Sequence, residues 1–341
     1  MAYQSIVLMA AVALIFGVLI ATPSRAQPIG VAYGTQGNNL PPPNEVVDLY
    51  KSKNIQAMRL YDPNQAVLQA LKGSNIQLML DVPNADLQSL ASSPSAANDW
   101  VQKNVKACFP DVSFKYIAVG NQVIPGDQAQ YVLPAMKNIH SALSSAGLSN
   151  QIKVTTSIAT GREVLEQYSP PSSSRLSSGA STYLEPIVQF LASNGAPLLV
   201  NLYTYRHYIG DPNHIGTKYA LFTSTETVIE DGQYSYQNLF DTIMDALYVA
   251  LEKLGGSNVP IVVSESGWPS ADGFGATVDN ARTYNQNLIN HVGQGTPRRP
   301  GKAIEAYIFE MFNENQKPQG AEQNFGLFYP DKQPVYPINF T

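Results

Sequence analysis

Three short stretches carry side chains with chemistry to offer. VVSESGWPS, residues 262–270, places the carboxylate of Glu265 directly after an apolar run and just before Gly267-Trp268-Pro269. YIAVGNQVIPG, residues 116–126, ends a second apolar run in two amides, Asn121 and Gln122. EMFNENQK, residues 310–317, ends a third in Glu310, Phe312, Glu314 and Lys317. A carboxylate at the end of a buried run can serve as nucleophile or base, or it can simply neutralise a buried cation such as Arg59. An amide can hydrogen-bond a substrate oxygen, but it has no titratable proton to give.

Other chemistries find little support. The four histidines, His140, His207, His214 and His291, are scattered and form no H-E-x-x-H, so no metal site is expected. No G-x-S-x-G elbow appears. Cys108 is the single cysteine, which rules out an intramolecular disulfide and reads as a small core residue. No cofactor motif of the G-x-G-x-x-G or G-x-x-x-x-G-K-[ST] type is present. The net charge is −5 and lysine and arginine do not cluster, so no nucleic-acid partner is expected.

These stretches belong to a series of short apolar runs: 29–33, 57–61, 76–82, 116–120, 153–158, 197–203, 260–265 and 303–312. None alternates cleanly, as expected of parallel strands buried on both faces. Helical patterns lie between them, at 44–50, at 130–146 with Leu133, Met136, Ile139, His140 and Leu143 on one face, and at 236–254. Eight strands alternating with helices predict an α/β fold, a single (β/α)8 TIM barrel, with 169–181 as a surface loop. A doubly wound open sheet is the alternative. In a barrel, function gathers at the C-terminal ends of the strands. Those ends carry Tyr33, Tyr61-Asp62, Asp81, Asn121-Gln122, Thr156-Ser157, Asn201-Tyr203-Tyr205, Glu265-Trp268 and Glu310-Phe312-Glu314. Carboxylates, amides and aromatic faces together suit sugar rings, which are apolar on their faces and hydroxylated at their edges.

The run Ile6–Ala21 followed by Ser24-Arg25-Ala26 predicts a signal peptide over 1–26, leaving a barrel domain over 27–341. The run is short for a bilayer span, so no membrane association is expected after cleavage.

From about Ile29 to Phe340 the chain resembles plant β-1,3-glucanases of glycoside hydrolase family 17. IGVAYG, MRLYDPNQ, YIAVGN, LASNGAPLLVN, VVSESGWPS, ARTYNQNLINHVGQGTP and AYIFEMFNENQK carry the likeness in order along the chain. The resemblance implies endo-hydrolysis of β-1,3-glucan with retention of configuration, by a monomer without cofactor. It implies Glu265 as nucleophile. It puts Gln122 where the family has its general acid, a glutamate. Tyr33, Asn121, Tyr203, Tyr205, Trp268, Phe312, Glu314, Lys317 and Glu322 are the substrate-binding residues it implies. NLYTYR stands where the family often has NVYPYF, so Thr204 and Arg206 are departures. The resemblance further implies secretion to the apoplast or cell wall and a role in defence. Mixed-linkage β-1,3-1,4-glucan as substrate, or glucan binding without catalysis, are the alternatives.

Overall fold

A computed structural model describes residues 29–340. The signal peptide expected over 1–26 lies outside them. Eight parallel strands close into a barrel: β1 Gly30–Tyr33, β2 Ala57–Leu60, β3 Gln77–Val82, β4 Ser113–Asn121, β5 Lys153–Ala159, β6 Leu198–Asn201, β7 Ile261–Ser266 and β8 Ala306–Ile308. Each predicted run supplies one strand. β8 pairs over only three residues, although its apolar run continues to Phe312.

Closure follows from burial on both faces. Ala57, Met79, Tyr116, Ala118, Leu199, Val262 and Tyr307 fill the interior, small residues beside large ones. Gly30 belongs to this fit, since a Cβ there would collide with the Tyr307 ring. Below, Glu305 accepts hydrogen bonds from Lys115 at 2.8 Å, Tyr116 at 2.9 Å and Tyr307 at 3.1 Å.

Register shifts interrupt four ladders, between Ala118 and Asn121 against β5, between Val200 and Asn201 against β7, between Ala306 and Ile308 against β7, and between Leu78 and Met79 against β4. Such irregularities re-aim side chains, and the first two lie where the predicted site residues begin.

The helices form the outer layer. Ala129–Ser145 buries Val132, Ala135, Met136, Ile139, Ala142 and Leu143, close to the predicted face. Leu239–Lys253 differs from expectation, being buried from Leu239 through Leu251 instead of along one stripe. The turn Pro171–Ser173 and the strands Tyr234–Tyr236 and Gly295–Thr296 pack over it. The predicted loop 169–181 is shorter than expected, because Ser177 caps a helix that starts at Ser178. No helix among the described residues is long and apolar enough to cross a membrane.

Candidate active site

Glu265, on β7, is 4% exposed, and both its carboxylate oxygens accept hydrogen bonds. Its Oε1 accepts from Arg59 Nη1 at 2.9 Å and from the Tyr61 hydroxyl at 2.9 Å. Its Oε2 accepts from the Tyr203 hydroxyl at 2.7 Å. Burial first, and Glu265 second, push both phenols well above their ordinary range, so each donates a hydrogen bond without surrendering its proton.

Arg59 lies on β2 with no exposed surface. It forks onto Asp81, with Nε at 3.2 Å and Nη2 at 2.7 Å, and its Nη1 also reaches Asn201 Oδ1 at 3.0 Å. Burial alone would lower its pKa; Asp81, followed by Tyr61 and Glu265, raises it instead. The guanidinium thus stays charged between two carboxylates, with directed hydrogen bonds to each.

Asn201, at the end of β6, orders the next layer. Its Oδ1 also takes hydrogen bonds from Ser157 at 2.9 Å and Ser264 at 2.8 Å, which aims its Nδ2 at Asn121 Oδ1, 2.9 Å away. Asn84 exchanges two hydrogen bonds with the Asn121 backbone, at 2.9 and 3.0 Å. The backbone turns left-handed at Gly120, φ +86°, and again at Gln122, φ +56°. The Gln122 amide N–H is held by the Ser157 carbonyl at 2.9 Å, while its side chain is exposed and bonds to none of the described residues.

Two cavities meet over Gln122. One, of about 410 Å³, is lined by Glu265, Asn121, Gln122, Tyr61, Asp62, Phe309, Glu310, Glu314 and Lys317 among others. The other, of about 380 Å³, runs past Thr160, Arg162, Tyr168 and His207. They share Gln122, Tyr203 and Arg206 as walls. Burial drops His207 to about 4, so it is a neutral wall residue. Arg206 pairs with Glu322 at 3.1 Å and lies over the Tyr203 ring.

The opposite wall holds a second ionic group. Lys317 donates to Glu310 Oε1 and lies 2.5 Å from Glu314 Oε2, the latter a Coulombic contact without hydrogen-bond direction. The Gln36 amide donates to Glu314 Oε1 at 2.5 Å. Glu310 Oε2, like Glu314 Oε2, is buried without a hydrogen-bond partner among the described residues. Burial drives the Glu310 carboxyl well above the usual range; Lys317 opposes this and Glu314 adds to it. Gly34 is required beside them, because a Cβ would strike both carboxylates.

Of the predicted residues, Glu265, Gln122, Asn121, Tyr203, Glu314 and Lys317 line one cavity, and Glu322 reaches it through Arg206. Four aromatic predictions require correction. Trp268 is fully buried; its indole N–H donates to the Gly275 carbonyl at 2.9 Å and its ring packs on Tyr205, Tyr208 and Tyr284. Phe312 packs edge-on against Tyr33, and Tyr205 lies between Trp268 and Phe325. Tyr33, Tyr205 and Phe312 are each at most 3% exposed, so none offers a sugar a free face. Phe309 is more open. It is half-buried, lines the cavity, and meets Tyr61 and Tyr203 edge to face. Arg59 pairs with Glu265 as one of the two sequence readings allowed, while Tyr61 and Asn201, marked only by strand-end position, are further parts of the site.

The family model for glycosyl hydrolases family 17 matches residues 29–340. A glucan endo-1,3-beta-glucosidase of Vitis vinifera is 58% identical over 321 residues, spanning 93% of this chain and 92% of the relative. Lichenase-2 of Hordeum vulgare is 54% identical over 318 residues, spanning 93% of this chain and all of the relative. A solved structure from a study of two plant beta-glucan endohydrolases with distinct substrate specificities superposes with a TM-score of 0.88 at 54% identity, covering 91% of this chain and all of that one. Sequence, barrel and whole-length likeness agree, and the chain belongs to glycosyl hydrolase family 17.

Proposed function

We propose that the chain is a glucan endo-1,3-β-glucosidase in its cleft and nucleophile, with turnover of native glucan lowered by Gln122. The observation that carries this is the setting of Glu265, a buried carboxylate held by three donors in the cavity that Gln122 also lines. Oε1 is committed to Arg59 and Tyr61. Oε2 has Tyr203 alone and keeps a lone pair for attack on the anomeric carbon. A retaining glycosidase then needs a second carboxyl group, which protonates the leaving oxygen and afterwards deprotonates water. Gln122 can hydrogen-bond that oxygen but supplies no proton. Loss of such assistance costs typically about 10²–10⁴-fold in rate.

The test is release of reducing sugar from laminarin by the native chain and by Gln122→Glu. The variant is expected to gain about 10²–10⁴-fold. Equal rates would show that position 122 is not the acid position or that another group serves.

Mixed-linkage glucan is a second reading, supported by the near-equal identity to a relative named lichenase. Laminarin against lichenan, both offered to Gln122→Glu, separates the two. Export through a signal peptide over 1–26, action on cell-wall glucan outside the cell, and a role in defence complete the proposal. Its support is the apolar N-terminal run followed by Ser24-Arg25-Ala26.

A further inference from the structure

The cleft joins a complete nucleophile to a position that cannot transfer protons. The other carboxyl groups along it are mostly occupied: Asp81 by Arg59, Glu310 and Glu314 by Lys317, Asp211 by His214. Asp62 lies on the β2 side and Glu163 in the adjoining cavity. The Gln122 side chain is exposed, so the acid–base side of the reacting carbon opens to solvent. Arg206 lines both cavities there, with its guanidinium paired to Glu322 at 3.1 Å, and Arg162 lines the adjoining one. Resting on the reading of Glu265 and Gln122 above, we propose that the native chain is a glucosyl transferase for donors whose leaving group departs without a proton. Such donors are fluorides, phenolates and carboxylates on the anomeric carbon of a β-1,3-linked glucosyl unit, and the acceptors are small anions.

The electrons balance without an acid. Glu265 Oε2 forms a bond to the anomeric carbon as the bond to fluoride breaks, and fluoride takes that electron pair, leaving a glucosyl ester on Glu265. An azide anion then forms the new carbon–nitrogen bond and the ester bond breaks, returning the carboxylate. Two inversions give a β-configured azide. Water makes a poor acceptor, because nothing at position 122 takes its proton.

β-Laminaribiosyl fluoride is offered to the native chain with and without sodium azide. Without azide, one equivalent of fluoride is released in a burst, the intact protein gains the mass of one disaccharyl unit, and peptide mapping places it on Glu265. With azide, steady release rises by about 10²-fold or more and β-laminaribiosyl azide accumulates. The native rate on the fluoride lacks the basic limb that Gln122→Glu shows on laminarin. If Gln122→Glu hydrolyses laminarin while the native chain forms no adduct and releases no fluoride above Glu265→Gln, the transferase inference is wrong and the site reading stands. Steady hydrolysis of the fluoride by the native chain, unmoved by azide, also overturns the inference, since another base must then serve. If Gln122→Glu is inert on laminarin and no adduct forms, the site reading itself fails.

Discussion

Two buried ionic groups face the same cavity, each a cation between two carboxylates, and they behave differently. Around Arg59, a planar fork gives Asp81 two hydrogen bonds and Glu265 one, and Tyr61 and Tyr203 supply two more donors to Glu265. Around Lys317, a point charge serves Glu310 and Glu314, and one Glu310 oxygen is left without a partner. A buried polar oxygen is costly unless it is hydrogen-bonded. Both oxygens of Glu265 have directed donors. Glu310 Oε2 has none among the described residues, and burial favours the protonated form of this carboxyl. The two groups hold the same set of charges and differ in the count of directed donors.

Arg59→Met breaks the comparison most severely. It strands Asp81 and Glu265 in the barrel without a cation, and loss of one partner from a buried pair typically costs about 3–5 kcal/mol. Chemical denaturation should show a loss of this size, and the variant should be inactive even with Gln122→Glu. Tyr203→Phe is gentler. It removes one hydrogen bond to a charged group, worth about 1.5–3 kcal/mol. Measured on laminarin in the Gln122→Glu background, kcat should fall about 10–100-fold with folding retained.

Glu310→Gln should have the smallest effect, and it is a pH effect. The folded chain holds a proton on Glu310 above the ordinary value of 4.5, where the unfolded chain has released it. Folding therefore takes up a proton, and this residue's contribution to stability falls as pH rises above about 4.5. The variant mimics the protonated form. Its melting temperature should match the parent near pH 4.5 and exceed it increasingly towards pH 7. A variant that melts lower than the parent at every pH would show that Glu310 works as a carboxylate.

The barrel was legible because parallel strands buried on both faces leave unbroken apolar runs, and each of the eight runs became a strand. Glu265 was legible as a strand-end carboxylate, with Arg59 already named as a possible partner. The aromatic lining was less so. Trp268 follows Glu265 by three residues, yet the chain leaves the ladder after Ser266 and folds the indole inward onto Gly275. β8 stops pairing at Ile308, so Phe309 lines the cavity and Phe312, expected there, packs inside. Strand pattern predicts which way a side chain points only while the ladder lasts. Arg206 and Glu322 meet across 116 residues, a pairing that no local pattern encodes.

The left-handed backbone at Gln122 has one more consequence. Glutamine and glutamate are nearly the same size and carry the same conformational cost at φ +56°. The fold is therefore close to indifferent to which of them stands there, while the chemistry is not. In the genetic code the two residues differ by the first base of the codon. On the function proposed above, one nucleotide change at this codon would restore hydrolysis without disturbing the fold.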